Sequence, residues 1–294
     1  MERIGFRLFY AAIWLLTLLP FRALYLLSDI LQPLIWHVVR YRRKVVEMNL
    51  KNAFPEKSPE ERRKIARRFY SHFTDLFLET VKAIHMSPGQ ISRRFVVKET
   101  GEFDRLYDQG RDIVALCSHY NNWEWLSAVQ LSTRHQIITI YKTLTNKYFD
   151  RFILRLRTKY GTCATPMQNI IRELLRFRSE NILTMSGFIA DQTPPPRDNA
   201  FWTTFLNQQT AFYRGAEKVA VKYDMAVVFV KIIKVRRGYY ELHNSVLTEH
   251  PREEEPDRIT SVYASMLEEV IRTQPEYWLW SHRRWKYKRP MKND

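Results

Sequence analysis

The sequence predicts an α/β fold, a mixed sheet flanked by helices, and three observations carry that prediction. First, apolar runs of strand length, rich in β-branched residues, recur at 113–117, 136–141, 181–190, 225–235 and 239–247. Second, stretches with helical spacing lie between or beyond them, at 148–159, 169–178, 211–222 and 258–272, the last capped by Asp257. Strands alternating with helices imply a sheet covered on both faces. Third, the run 113–117 ends in Ser118-His119-Tyr120-Asn121-Asn122, and Trp123-Glu124-Trp125-Leu126 then opens a segment with helical spacing. A buried strand that delivers a histidine to such a junction puts it at the sheet edge, where α/β folds place their chemistry.

The elements follow in order. Residues 8–19 are almost purely apolar. Pro20 and Arg22 interrupt them, and 23–39 resume with Ser28, Asp29, Gln32 and His37 as the polar breaks. Each half falls short of the roughly 20 residues that span a bilayer. Together they suit one kinked span, an in-plane anchor or a membrane-dipping hairpin. Arg3 and Arg7 flank one end, and Arg40, Arg42, Arg43 and Lys44 the other. Positive charge at both ends favours a monotopic arrangement with both ends cytoplasmic. A signal peptide and a buried soluble helix compete with this reading, although no small-x-small cleavage site follows Leu19. Residues 1–44 are thus read as an N-terminal apolar membrane-anchoring helix, and 45–294 as the remaining domain.

Ser58-Pro59-Glu60-Glu61 has the form of a helix start, with an N-cap serine, proline at the first position and glutamate at the third. Ile65, Phe69, Phe73, Leu76, Phe77, Val81 and Ile84 continue at helical spacing, and Pro88-Gly89 ends the segment. Arg62, Arg63, Lys64, Arg67 and Arg68 crowd its first half, against the helix dipole. Residues 252–255 read as a surface loop.

Composition narrows the function. Lys and Arg total 47 against 31 for Asp and Glu, a formal net charge of +16, so the chain seeks anionic partners: phospholipid, nucleic acid or an acidic protein. Two cysteines, Cys117 and Cys163, make neither a disulfide framework nor a metal spacing. The 8 glycines form no G-x-G-x-x-G and no phosphate loop.

Three stretches can carry chemistry. His119 and Glu124 make H-x4-E, a spacing that two residues on one helical face never have. They meet if His119 lies in the loop and Glu124 in the first helical turn. The carboxylate then accepts from one imidazole nitrogen and leaves the other free as a general base. Taken by itself H-x4-E recurs by chance, and a glutamate near a helix start is ordinary. Asp191-Gln192 ends a strand before Pro194-Pro195-Pro196, and reads either as a turn or as a rigid pocket wall. Trp278 to Lys286, WLWSHRRWK, joins three tryptophans to cations and suits a membrane interface or single-stranded nucleic acid.

Four stretches together resemble the late lipid A acyltransferases of the lysophospholipid acyltransferase superfamily. They are NLKNAFPE at 49–56, the H-x4-E, Asp191-Gln192, and PEYWLWSHRRWK at 275–286, the last being far more specific than H-x4-E. The resemblance runs nearly the whole chain. It implies a glycerol-3-phosphate-acyltransferase-like α/β domain on a membrane anchor, at the cytoplasmic side of a bacterial inner membrane. It implies transfer of a fatty acyl chain from acyl carrier protein, or acyl-CoA, to a hydroxyl of an anionic lipid A precursor. His119 is then the base and Glu124 its orienting partner, with no metal, no cofactor and no acyl-enzyme. Asn122, Lys142, Asp191, Gln192, Arg283 and Arg284 are expected to contact substrate, with backbone amides near Asn121-Asn122, or Lys142, facing the oxyanion. The sequence departs from the family at Tyr141-Lys142, where arginine usually follows the tyrosine, and at Phe205-Leu206-Asn207, where Phe-Phe-Gly is usual. The first bears on phosphate or oxyanion contacts, the second on the acyl-chain pocket. Rival readings are the same chemistry on a lysophospholipid or amino-acid lipid, a catalytically silent homologue, and a basic nucleic-acid-binding protein. Against the last stand the apolar N-terminus and the lack of any recognised nucleic-acid motif.

Overall fold

The computed structural model of the chain describes residues 2–194 and 200–289. Pro195 and Pro196 of the expected pocket wall, and the side chains of Arg3 and Arg7, lie outside the described part. Helix α1 (Glu2–Leu16) breaks at Pro20, and α2 (Phe21–Pro33) follows. Pro33 cannot donate into the helical ladder, and the chain continues as a π-helical turn, Leu34–Val39. Next come α3 (Arg43–Ala53) and α4 (Pro59–Lys82). The helix start read at Ser58 forms a reciprocal cap: Glu61 N donates to Ser58 Oγ at 3.2 Å, and Ser58 N donates to Glu61 Oε2 at 2.7 Å. Ser87 and Gln90 make the same motif, so Pro88-Gly89 opens a short helix, α5 (Pro88–Ser92), as well as following the end of a longer one.

Strand β1 (Phe95–Val97) and α6 (Thr100–Asp108) lead into β2 (Ile113–Cys117). A 3-10 stretch, Trp123–Ser132, joins β2 to β3 (Gln136–Tyr141). Then come α7 (Lys147–Thr158), β4 (Cys163–Pro166), α8 (Ile170–Ser179) and β5 (Thr184–Ile189). A hairpin of β6 (Phe201–Phe205) and β7 (Gln208–Phe212) precedes α9 (Gly215–Tyr223). Long strands β8 (Ala226–Arg236) and β9 (Tyr239–Thr248), helix α10 (Arg258–Thr273) and a 3-10 turn, Pro275–Tyr277, complete the described fold.

The main sheet runs β1-β9-β8-β2-β5-β3-β4 and is mixed, because β9 pairs antiparallel to β8 while the other pairs are parallel. All five residues of β2 are buried, as a continuous apolar run in the middle of a parallel array requires. Alternation splits the strands between two cores. Val114, Leu116, Ile138, Val227 and Phe229 join α4, α8, α9 and α10 on one face. Ala115, Cys117, Ile137, Met185, Val228 and Val230 join α6 and the 3-10 stretch on the other.

Three expectations change. Residues 211–222 are not one helix: 211 and 212 belong to β7, and the helix starts at Gly215. The hairpin turns at Leu206-Asn207, both with left-handed φ (49° and 60°), a two-residue geometry that suits asparagine and is unusual for leucine. Asp257 stands before α10 but makes no capping bond; its carboxylate pairs with Arg214. Phe77, expected in the core, is exposed, whereas His72, Asp75 and Glu79 of α4 are buried.

The N-terminal segment is two helices in place of one, each too short to span, as the break at Pro20 implies. Among the described residues no single helix is long and apolar enough to cross a membrane; Tyr10–Leu16 and Phe21–Val39 pass that test only as a pair, bent by 119°. Helix α2 is bound to the main fold through polar groups. Tyr25 donates to Glu79, Ser28 donates to Asp75, and Arg237 bridges Asp29 and Asp75.

Candidate active site

Strand β2 carries the chain to His119, and β5 carries it to Asp191 in register alongside (Cys117 pairs with Ile189). That pairing brings the two residues together. His119 Nδ1 lies 2.7 Å from Asp191 Oδ1, and His119 N donates to Asp191 Oδ2 at 2.9 Å. Trp278 Nε1 donates to Oδ2 as well, at 2.8 Å. Burial works to raise the Asp191 carboxyl, but the His119 imidazole and these hydrogen bonds outweigh it and hold the group below the ordinary aspartate range. On the other side of the ring, Gln192 Nε2 lies 3.0 Å from His119 Nε2. With Nδ1–H donated to Asp191, Nε2 keeps its lone pair and accepts from the Gln192 amide.

The expected His119–Glu124 hydrogen bond is replaced by these contacts. Glu124 accepts from Arg157 Nη2 at 3.1 and 3.3 Å and from Trp123 Nε1 at 3.1 Å. The physical reason is local: residues 123–132 wind as a 3-10 helix, and Glu124 turns toward α7. Glu124 and His119 still share the wall of one cavity of about 420 Å³. Its rim holds His119, Glu124, Gln192, Lys142 and Arg157, and its depth is apolar, with Phe103, Val129, Ile137 and Met185.

The expected substrate contacts divide. Gln192 and Lys142 line the cavity, and Lys142 is exposed at its mouth. Asn122 is fully buried, and its Nδ2 donates to Glu79 at 2.8 Å. The Asn121 amide is already donated to Tyr277 O, and the His119 amide to Asp191, so neither is free for an oxyanion. Arg283 is exposed, but Arg284 is buried: it donates to Ala211 O at 2.6 Å, stacks over Phe212, and burial lowers its guanidinium to about 10. Phe205 and Leu206 pack in the core on the opposite sheet face, away from the cavity, while Asn207 is exposed and donates to Ala53 O.

The tryptophan-rich stretch is the largest correction. Trp278 and Trp280 are buried and offer nothing to a bilayer surface. Residues 277–284 instead strap the His119 loop in place. Leu279 N donates to His119 O at 3.2 Å, and Thr193 Oγ1 donates to Arg283 O and Arg284 O. Asn49 holds the strap from behind, donating to Trp280 O and His282 O at 2.9 Å, and Phe54 packs on Trp280. Two motifs far apart in sequence are therefore one device. The signal in the sequence is a proline followed by three tryptophans, an apolar composition that fits a core as well as an interface; the cations beside it favour the interface only when the stretch is read alone.

Comparison with known proteins places the whole chain in one family. The family model for bacterial lipid A biosynthesis acyltransferases matches residues 1–287. A lipid A biosynthesis lauroyltransferase of Escherichia coli K12 is 24% identical over 275 residues, 93% of this chain and 89% of its own. A lipid A biosynthesis palmitoleoyltransferase of the same organism and a lipid A biosynthesis acyltransferase of Shigella flexneri are each 20% identical over 276 residues, 93% of this chain and 88% of their own. With the family model spanning the sheet, the His119 cavity and the strap together, the chain belongs to the bacterial lipid A biosynthesis acyltransferases and is an acyltransferase enzyme.

Proposed function

We propose that the protein moves a fatty acyl chain from a thioester to a hydroxyl of a lipid A precursor, with His119 as general base. The observation that supports this best is the His119 ring itself: one nitrogen held by a buried carboxylate, the other at the rim of an apolar cavity. The acceptor hydroxyl replaces the Gln192 amide at Nε2 and gives up its proton there. Its oxygen bonds to the thioester carbonyl carbon, the C–S bond breaks, and the thiolate takes the proton back from the imidazolium. Asp191 orients the ring and balances its transient charge, the role first expected of Glu124. Glu124 instead holds Arg157 at the rim, where a guanidinium meets an anionic headgroup or donor. Cys117 also lines the cavity, but burial pushes its thiol up to about 12, so it stays protonated and direct attack needs no acyl-enzyme.

The donor is read as an acidic carrier protein in preference to coenzyme A. Lys147, Arg151 and Arg155 form an exposed row on α7, the helix that walls the cavity, and none has an ion-pair partner among the described residues. Residues 1–44 are read as lying in the surface of the inner membrane, with the catalytic cavity on the cytoplasmic side. Leu26, Ile30 and Val38 point outward at 67%, 69% and 70% exposure, beside exposed Trp14, Leu15 and Leu18 and the cations Arg22, Arg40 and Lys44.

The test is incubation of purified protein with acyl-carrier-protein and acyl-CoA donors and three acceptors: a lipid A precursor, a lysophospholipid and an amino-acid lipid. Mass spectrometry reads the products. Acylated precursor is the expected product; transfer to another acceptor alone would reassign the substrate, and no transfer from any donor would reject the reading.

A further inference from the structure

We propose that Gly187 is the chain-length gauge of the cavity, which rests on the reading that the donor's acyl chain lies there. The strands descend from the His119 edge in rungs. Cys117 and Ile189 make the uppermost rung on the cavity face, and Ile137 and Met185 the lowest. Between them lies a rung of small side chains: Thr139 on β3, Gly187 on β5 and Ala115 on β2, paired in register and all facing the cavity.

Gly187 has no backbone reason to be glycine. Its φ is not in the left-handed region, and a Cβ built there meets only Ile138 O, at 3.8 Å, an ordinary contact. A central strand position normally gains from a side chain, since glycine weakens a strand. What the missing side chain provides here is space: a larger residue would project into the cavity at its middle. Gly187 precedes Asp191 by four residues. At roughly 3.3 Å per strand residue the rung lies about 13 Å below the reacting carbonyl. A zigzag chain built from bonds of about 1.5 Å advances about 1.3 Å per carbon, so it passes this rung at about the tenth carbon. Shorter chains end above Gly187, and longer ones must thread past it.

The experiment compares kcat/KM for saturated acyl thioesters of graded length, using full-length wild type, Gly187→Ala, Gly187→Val and Ala115→Val. An unwanted methylene in an apolar pocket is worth about 10–200-fold in discrimination. Gly187→Val is therefore expected to lower the rate for donors longer than about ten carbons by at least tenfold, with donors of about eight carbons within threefold of wild type. Gly187→Ala shifts in the same direction by less, and Ala115→Val repeats the shift from the neighbouring strand. Thermal melts identify folded variants. A folded Gly187→Val whose long-to-short ratio equals that of wild type, or which loses all donors alike, overturns the gauge. If Gly187→Val does not fold, the same criterion applies to Gly187→Ala and Ala115→Val. Wild type inactive with every thioester would instead sink the acyl-transfer reading itself.

Discussion

At the residue scale, the carboxylate that touches an imidazole decides its tautomer. Asp191 is buried, accepts from His119 and Trp278, and is held ionised by them. Glu124 is half-buried and is neutralised by Arg157. The two carboxylates therefore predict different variant behaviour. His119→Ala and Asp191→Asn should each slow acyl transfer on the order of 10²–10⁴-fold, and the double variant should be hardly slower than His119→Ala alone, because the pair acts as a unit. Glu124→Gln should cost less than about tenfold in kcat and act mainly on KM, since it loosens a rim contact that ground and transition states share. Initial rates at saturating and limiting donor separate these outcomes. A Glu124→Gln loss as deep as that of Asp191→Asn would return the orienting role to Glu124.

At the scale of elements, α4 works as a polar spine. Glu79 accepts from Tyr25 of α2, Tyr240 of β9 and Asn122 of the His119 loop, at 2.7–2.8 Å. Desolvation raises its carboxyl to about 7 despite those donors. The sign follows from linkage. Between the unfolded value near 4.5 and the folded value near 7, the native state binds the extra proton, so stability falls as pH rises through that window and is level above it. The span corresponds to something on the order of 3 kcal/mol. Chemical denaturation at pH 5 and pH 8 should show Glu79→Gln gaining stability relative to wild type at the higher pH; the comparison isolates Glu79 from His72, His85, His135 and His282, whose pKa values burial lowers and which act in the opposite sense. The same variant disturbs the Asn122 contact two residues from the H-x4-E glutamate, so its activity should fall even where it remains folded. Equal pH dependence in both proteins would remove Glu79 as the titrating group.

At the scale of the whole molecule, charge and apolar surface are placed on different sides of one task. Helices α1 and α2 expose an apolar stripe, and α7 exposes cations beside the cavity. Rings of α1 also pack on α7: Phe6 stacks on Tyr148 at 5.2 Å, and Tyr10 meets Phe152 edge-on at 6.0 Å. The apolar N-terminal part thus touches the wall of the cavity directly. Full-length protein should sediment with membranes after a high-salt wash, because salt screens charge within about 10 Å or less but leaves apolar burial intact. Replacing Leu26, Ile30 and Val38 together by serine should release it. Arg151→Glu with Arg155→Glu should raise KM for an acyl-carrier-protein donor by about tenfold or more and leave KM for acyl-CoA nearly unchanged, with the difference fading at high salt. Recovery of unaltered protein in the washed soluble fraction would reject the surface as a membrane contact.

The sequence by itself determined the elements whose signal is local. Strands 113–117 and 136–141 lie where their apolar runs placed them, and α4 begins at its capping box, because periodicity and a four-residue cap are written within one segment. His119 at a strand end was legible for the same reason. Only the tertiary structure decided its partner, since Asp191 reaches it through the register of β2 on β5 and not through any spacing along the chain. The hairpin at Phe201–Phe212 escaped because its strands are short and polar at Thr203, Thr204, Gln208 and Gln209, and its turn uses no glycine. The tryptophans of 278–285 carry the same composition whether they face lipid or core; contact with Asn49, Asp191 and the His119 loop, all distant in sequence, settled which. Local propensity is a property of neighbours in the chain, whereas a site is a property of neighbours in space, and the sheet register is what converts one into the other.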